Sequence, residues 1–262
     1  MTELAFTKYQ GLGNDFVVID ASDPEQMTPE RAREICDRHF GIGADGVLLV
    51  LSGDKGAHAR MKVLNADGSV PEMCGNGLRC VAEHVGRARN LPEVIVATDA
   101  GTFTCARTEG NVRVDMGIVA ASVETRIEVA GRGYIVREVD MGNPHAVVFD
   151  AELARSDAAA KLGPKFQKHA QFPRGVNVEF VHDTHNAALN VVVWERGVGL
   201  TLACGTGACA VARAAVDTMR RSVNEDILVA LPGGTLTMRV ERDNRLIMTG
   251  PAQRVFAGQL AP

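Results

Sequence analysis

Met73-Cys74-Gly75-Asn76-Gly77 and Ala203-Cys204-Gly205-Thr206-Gly207 are two stretches of the same form, 130 positions apart. Each places a cysteine directly before a glycine-rich turn. A segment with apolar residues at helical spacing and no proline follows each turn. The pair decides the fold because it indicates that one half of the chain repeats the other.

The similarity extends well beyond the two turns. Gly13-Asn14, which precedes an apolar run, recurs as Gly142-Asn143, again before an apolar run. Downstream, Gly101-Thr102-Phe103-Thr104 recurs as Gly234-Thr235-Leu236-Thr237 at an offset of 133. The 262 residues are therefore predicted to form two halves, 1–117 and 118–249. The segment 250–262 is predicted to return to the first half as a closing strand.

Strands dominate both halves. Runs rich in β-branched residues predict strands at Phe16–Ile19, Val47–Leu51, Arg60–Leu64, Val94–Ala97, Val112–Met116, Ala146–Phe149, Val176–Val181, Leu189–Trp194, Ile227–Leu231 and Leu236–Val240. Helices are predicted from Thr28-Pro29 to about His39, and over Leu78–Arg89 and Ala208–Arg220. Since the last of these is apolar nearly all round, we expect it to be buried. The predicted fold class is α+β, with two pseudo-symmetric domains, each a mixed, largely antiparallel sheet or barrel wrapped around a central helix.

The composition is that of an ordinary globular protein, with 46% hydrophobic residues, a net charge of −4 and a pI near 6.0. These values favour neither a nucleic-acid nor a membrane partner. The sequence has neither an apolar run of membrane-spanning length nor a secretory signal, which predicts a cytoplasmic protein with reduced cysteines.

Each cysteine turn combines two chemical properties. The first amides of a helix have no intrahelical partner, so they stabilise a thiolate and can bind a carboxylate. Two such turns, one per half, offer two acid/base groups to one small substrate, which is what a stereochemical inversion needs. A single Cys-Gly-x-Gly is more often a tight turn with an inert buried cysteine. The duplication argues against that interpretation.

Other uses of these motifs fit less well. Neither turn has the ending of a P-loop, and Gly41–Gly46 precedes a predicted strand where a dinucleotide-binding motif requires a helix. The spacings from Cys74 to Cys80 and from Cys204 to Cys209 are not those of metal or redox pairs. Cys80 and Cys209 fall inside predicted helices and, like Cys36 and Cys105, are expected in the core.

Several ordered motifs resemble the diaminopimelate epimerase family. They are the two cysteine turns together with Asn65-Ala66-Asp67-Gly68-Ser69, Gly142-Asn143-Pro144-His145 and Glu195-Arg196-Gly197. The resemblance runs from Gly11 to Ala252. It implies a cytoplasmic homodimer that inverts one stereocentre of LL- or meso-diaminopimelate, on the route to lysine and cell-wall peptide, without pyridoxal phosphate, other cofactor or metal.

The resemblance also implies roles for individual residues. Cys74 and Cys204 match the two acid/base residues of the family, and His145 and Glu195 match residues that tune the thiols. The implied substrate contacts are Asn14, Asn65, Gly75, Asn76, Asn143, Asn177, Glu195, Arg196, Gly205 and Thr206. The chain departs from the family pattern at Gly46, where many members have glutamine, and at Phe256, where members have a tyrosine at the dimer interface.

Three alternatives remain open from the sequence. The first is a related cofactor-independent racemase of the same fold that acts on another amino acid. The second is an isomerase of that fold without catalytic cysteines, which the presence of both thiols disfavours. The third is a redox or amino-acid-binding protein whose thiols transfer no protons.

Overall fold

The computed structural model describes residues 4–184 and 188–260. The strands are β1 Leu4–Gly11, β2 Asn14–Asp20, β3 Gly46–Ser52, β4 Ala59–Asn65, β5 Glu93–Thr98, β6 Gly101–Thr108, β7 Asn111–Ile118, β8 Val123–Val129, β9 Arg132–Asp140, β10 Pro144–Phe149, β11 Asn177–Asp183, β12 Leu189–Glu195, β13 Gly199–Thr201, β14 Asp226–Leu231, β15 Gly234–Val240, β16 Arg245–Pro251 and β17 Gln253–Leu260. The α-helices are α1 Pro29–Cys36, α2 Gly75–Arg89, α3 Ser156–Gln167 and α4 Gly205–Asp217, and a short 3₁₀ helix covers Pro24–Gln26. Among the described residues, no helix combines the length and apolar character that crossing a membrane requires.

The chain forms two compact units. The first unit contains the residues up to Val114 together with those from Gly250 onward, and the second contains Asp115–Thr249. The mixed, sheet-dominated α+β class predicted from the sequence is confirmed.

The two units share one strand topology. In the first unit neighbouring strands follow the order β17-β1-β2-β3-β4-β5-β6-β7, antiparallel except for the parallel pairs β2–β3 and β4–β5. In the second the order is β8-β9-β10-β11-β12-β14-β15-β16, antiparallel except for β10–β11 and β12–β14. The short β13 also pairs with β12. The sequence repeat is therefore a repeat of structure, strand by strand.

A helix accompanies each parallel pair, because parallel neighbours need a crossover connection. α1 and α3 lie in the connections of β2–β3 and β10–β11, and α2 and α4 in those of β4–β5 and β12–β14. α2 packs against β1–β6 and β17, while α4 packs against β9, β10, β11, β14 and β15. In α4 the residues from Gly205 to Ala215 are all buried, which confirms the expectation for this helix.

The outer helices cover other apolar clusters. Ile35 of α1 packs with Val17, Leu49 and Leu64 of its sheet. α3 was not predicted; its Phe166 packs edge-on against Phe180 at 5.4 Å between ring centroids. Gly163 and Pro164 lie inside α3, and such residues are poor helix formers, which hid the element from a sequence-based assignment.

Helix ends differ from the predictions for local reasons. α1 begins as predicted, because Thr28 Oγ1 accepts from the Arg31 amide at 3.2 Å and proline occupies the first turn. The predicted end near His39 is wrong: Asp37 accepts from the His39 and Phe40 amides at 2.7 and 2.8 Å, and this turn ends α1 at Cys36. The predicted end of α4 at Arg220 is also wrong, since Met219 takes a left-handed conformation (φ 57°) beyond Asp217.

Candidate active site

Cys74 and Cys204 are each the N-cap residue of a buried helix. Both have extended backbone conformations, and each sulfur accepts a hydrogen bond from the amide three residues on, at 3.3 Å for Gly77 and 3.4 Å for Gly207. Sulfur thus takes the capping role that serine or aspartate oxygen usually has. Each thiol lies at the positive end of a helix dipole, which stabilises negative charge there.

Glycine is required in the first turn of both helices. A Cβ on Gly77 would lie 2.9 Å from Leu48 Cδ2 and 3.0 Å from Cys74 Sγ. A Cβ on Gly207 would lie 2.7 Å from Glu179 Oε1 and 3.3 Å from Cys204 Sγ. In both units the missing side chain lets the helix start pack directly on its thiol.

In the first unit, a short polar network orients the side chains beside Cys74. Asn76 Nδ2 donates to Asn14 Oδ1 at 3.1 Å, and Asn14 Nδ2 donates to Asp45 Oδ2 at 2.8 Å. The fully buried Arg79, one turn further along α2, donates to Asn76 Oδ1 at 2.9 Å. Both predicted amides are therefore held in one orientation next to the turn that begins at Cys74.

Asn65 forms hydrogen bonds with Ser69, four residues further along the chain. Its side-chain amide donates to Ser69 Oγ at 3.0 Å, and its backbone amide donates to the Ser69 carbonyl at 2.8 Å, within the turn that follows β4. In the ladder it pairs with Gly46, where a Cβ would lie 2.7 Å from the Leu64 carbonyl oxygen. The sheet thus leaves no space for a side chain at position 46.

In the second unit, His145 lies between Asn143, which the sequence predicted as a site residue, and Glu179, which it did not. Its Nδ1 is 2.7 Å from Glu179 Oε1, and its Nε2 is 2.9 Å from Asn143 Oδ1. The side chains of His145 and Glu179 are completely buried. Asn143 Nδ2 lies 3.5 Å from Thr206 Oγ1, which in turn lies 3.6 Å from Cys204 Sγ. The histidine is therefore connected to the thiol through two side chains.

Glu195 contacts Cys204 directly. Its carboxylate accepts from Thr201 Oγ1 at 2.6 Å and forms a hydrogen bond with the Cys204 thiol. Burial raises the pKa of Glu195 above its ordinary value. Burial, followed by the charges of Glu195 and Glu179, raises the pKa of Cys204 well above the usual range for a thiol. Cys204 is thus a protonated thiol at neutral pH and donates its proton toward a carboxylate.

Asn177 and Arg196 form a second polar pair in this unit. Asn177 Oδ1 accepts from the Arg196 backbone amide at 2.9 Å, and its Nδ2 donates to the Pro144 carbonyl at 3.1 Å. The guanidinium of Arg196 donates to the Arg174 carbonyl at 3.4 Å. Asn177 thereby fixes the turn that carries both Glu195 and Arg196.

The other four cysteines lie outside this chemistry. All six cysteines are free thiols, and Cys36, Cys80, Cys105 and Cys209 are buried. Burial raises the pKa of Cys80 and of Cys105 to about 12, and that of Cys36 to about 11. Thiols of this kind are inert at neutral pH.

The sequence did not single out Asp45, Arg79, Glu179 or Thr201. Only Glu179 left a visible signal, as a carboxylate inside the apolar run Val176–Val181. A charge in a buried strand requires a partner. That partner, His145, is 34 positions away, so the strand topology was needed to find it.

The sequence matches known proteins over nearly the whole length of the chain. The sequence profile of the family Diaminopimelate epimerase matches residues 6–121 and 137–255. A diaminopimelate epimerase of Nostoc punctiforme is 44% identical, covering 98% of this chain and 99% of the relative. Diaminopimelate epimerase 1 of a Nostoc species is 45% identical over the same shares.

Solved structures show the same fold at low sequence identity. A hydroxyproline epimerase from Agrobacterium vitis superposes with a TM-score of 0.74 at 17% identity, covering 99% of this chain and 92% of that one. A protein of the PhzF phenazine biosynthesis family from Enterococcus faecalis gives a TM-score of 0.71 at 14% identity, with full coverage of both chains.

Proposed function

The chain belongs to the diaminopimelate epimerase family and is an isomerase that interconverts LL- and meso-2,6-diaminopimelate, and we propose that Cys74 and Cys204 carry its two proton transfers. The observation that carries this proposal is the duplicated N-cap thiol. The same sulfur-capped helix start occurs once in each unit.

In the proposed reaction one thiolate removes the α-proton and the other thiol delivers a proton to the opposite face of the carbon. The α-carboxylate, on which charge develops, binds to the backbone amides at the two helix starts, contributed by Gly75, Asn76, Gly205 and Thr206. The reaction requires neither pyridoxal phosphate nor metal.

Cys204 is protonated in the free enzyme, because its pKa is raised. In the direction in which it acts as the acid, it delivers this proton to the α-carbon. To act as the base in the reverse direction, it first passes the proton to Glu195, whose raised pKa makes it a better acceptor than an ordinary carboxylate. His145 is the second tuning group, as its connection to Cys204 through Asn143 and Thr206 supports.

Substrate selection is assigned to the polar side chains around the two turns. Arg196 binds the distal carboxylate through its planar guanidinium. Asn14, Asn65, Asn143 and Asn177 orient that carboxylate and the distal ammonium, and the ordered amides of Asn14, Asn143 and Asn177 support this assignment.

The enzyme is proposed to act as a cytoplasmic homodimer. β17 offers a surface for self-association, because Val255 and Phe256 are 56% and 46% exposed and Phe256 stacks edge-on against Phe6. Light scattering coupled to gel filtration would measure the mass of the assembly in solution.

The decisive experiment is incubation with LL-diaminopimelate in deuterated water. We expect meso product carrying deuterium at one α-carbon. Faster racemisation of proline or hydroxyproline would reassign the substrate to a related racemase. Binding without any deuterium incorporation would instead identify an amino-acid-binding protein.

A further inference from the structure

Glu179 is a buried carboxylate that the reaction described above does not use. It lies in β11, its side chain is completely buried, and its Oε1 is 2.7 Å from Nδ1 of His145. The second oxygen, Oε2, is buried without a hydrogen-bond partner among the described residues. A buried carboxylate oxygen without a hydrogen-bond partner is costly, so its presence in β11 requires an explanation.

The carboxylate determines how His145 is protonated. A carboxylate only accepts, so Nδ1 carries a proton. With the Asn143 amide oriented as it stands, Nε2 faces the carbonyl oxygen Oδ1 at 2.9 Å, which also only accepts. With both ring nitrogens facing acceptors, the arrangement has a proton on Nδ1 directed at Glu179 and a proton on Nε2 directed at Asn143.

The proton on Nε2 determines which atom donates in each hydrogen bond between His145 and the Cys204 thiol. Because Nε2–H holds Oδ1 of Asn143, the amide nitrogen Nδ2 points to Thr206 Oγ1, 3.5 Å away. The Thr206 oxygen then accepts, which leaves its own proton for Cys204 Sγ at 3.6 Å. A hydroxyl that donates to sulfur stabilises the thiolate that forms when Cys204 gives up its proton.

We propose that Glu179 is a positioning residue that sets the direction of the hydrogen-bond chain His145–Asn143–Thr206, so that Thr206 donates to Cys204. The inference rests on the proposed role of Cys204 as a proton carrier. The titratable groups around the thiol in the second unit are Glu195 from β12, Glu179 from β11 and, in contact with Glu179, His145 from β10.

Glu179→Gln reverses the chain. When the glutamine oxygen takes the place of Oε1 and accepts from Nδ1–H, a ring with a single proton presents Nε2 as an acceptor, and the Asn143 amide turns to donate to it. Oδ1 of Asn143 then takes the Thr206 proton, and the Cys204 thiolate loses its hydrogen bond. The charge of Glu179 raises the pKa of Cys204, so its removal alone would lower that pKa, and the loss of the hydrogen bond from Thr206 acts in the opposite direction.

The test is a pH titration of the Cys204 ¹³Cβ resonance in protein labelled with [¹³Cβ]cysteine, assigned with Cys204→Ser. We expect Glu179→Gln to move the titration midpoint of Cys204 upward by about one to two pH units, the size of one lost hydrogen bond to a charged group. The ¹⁵N signals of His145 should change from the doubly to the singly protonated form. An unchanged or lower midpoint overturns the proposal, since lower is the result expected if Glu179 acts only as a negative charge.

Two further variants distinguish the proposed effect of Glu179→Gln from a general defect in folding. Thr206→Val should raise the midpoint by a similar amount, and adding Glu179→Gln to it should cause no further rise; additive shifts overturn the proposal. Asp183→Asn is the matched control: it removes another buried carboxylate of β11, paired with Arg220 and Arg221, and should leave the Cys204 titration unchanged. The readout needs no turnover, so a wild-type protein inactive on diaminopimelate would refute the proposed function and leave this result standing.

Discussion

Gly207 and Glu179 are packed so closely that a methyl group does not fit between them, because a Cβ on Gly207 would lie 2.7 Å from Glu179 Oε1. Gly207→Ala should therefore displace the buried carboxylate and the first turn of α4. We expect a loss of about 1–3 kcal/mol in the free energy of unfolding and a marked loss of epimerisation. Gly133→Ala is the control, because its Cβ meets no atom within 4 Å. Equal denaturation midpoints for the two variants would contradict this packing argument.

Replacing either N-cap thiol should stop inversion. Cys74→Ala and Cys204→Ala each remove the only proton carrier of their turn, which we expect to reduce kcat by about 10²–10⁴-fold or more. Circular dichroism would verify the fold, and a coupled assay for the meso product would measure turnover. Cys105→Ala removes a buried thiol outside both turns and should retain activity. Near-normal turnover of either N-cap variant would refute the two-thiol mechanism.

Glu195→Gln should move the titration of Cys204 in the direction opposite to Glu179→Gln. After burial, the charge of Glu195 is the largest cause of the raised pKa of Cys204. Removing this charge makes the thiolate less unfavourable, so the midpoint should fall. The ¹³Cβ titration measures the shift, and kcat should fall about 10²-fold because the proton acceptor is lost. Glu152→Gln, an exposed carboxylate of the same unit, should change neither quantity.

Arg196→Lys should weaken substrate binding although it keeps the positive charge. A lysine cannot form the two parallel hydrogen bonds that a guanidinium makes with a carboxylate. We expect KM for diaminopimelate to rise about tenfold or more, with a smaller effect on kcat. Steady-state kinetics in both directions would measure this. An unchanged KM would remove Arg196 from the distal carboxylate site.

Oxidation should inactivate the free enzyme reversibly. A thiol at a helix start is stabilised as the thiolate, and Cys74 is half-buried whereas Cys204 is buried with a raised pKa, so Cys74 should be the thiol that oxidises first. Activity should fall in air, return with a reductant and be protected by substrate. Peptide mapping should find Cys74 oxidised and leave Cys36 and Cys105 unmodified. Oxidation of Cys36 or Cys105 in place of Cys74 would contradict the assignment of Cys74 as a reactive thiol.

The sequence predicted those features that depend on local patterns. The duplicated turns, the buried strands and the start of α1 at Thr28-Pro29 all follow from residue type and spacing. The end of α1 did not, because the Asp37 side chain competes for backbone amides, and hydrophobic periodicity contains no information on such bonds. α3 was missed although it occupies the place in the second unit that α1 has in the first.

The candidate site was predictable where a motif marked it and hidden where only topology creates it. Cys204, His145 and Glu195 stand in recognisable motifs. Glu179 meets His145 only because β10 and β11 are parallel neighbours, with Val147 opposite Glu179 in the ladder. A parallel pairing between segments joined by a crossover depends on the fold of the whole unit, which short-range sequence patterns do not encode.

The placement of β17 has a consequence for the order of folding. The first unit is interrupted in sequence by all of Asp115–Thr249, and β17, the neighbour of β1, follows that insertion. On the ribosome, which presents residues from the N-terminus onward, the second unit is complete while β1 still has an open edge. Unpaired edges of this kind favour intermolecular association, so the nascent first unit is exposed to aggregation until Gln253–Leu260 has emerged.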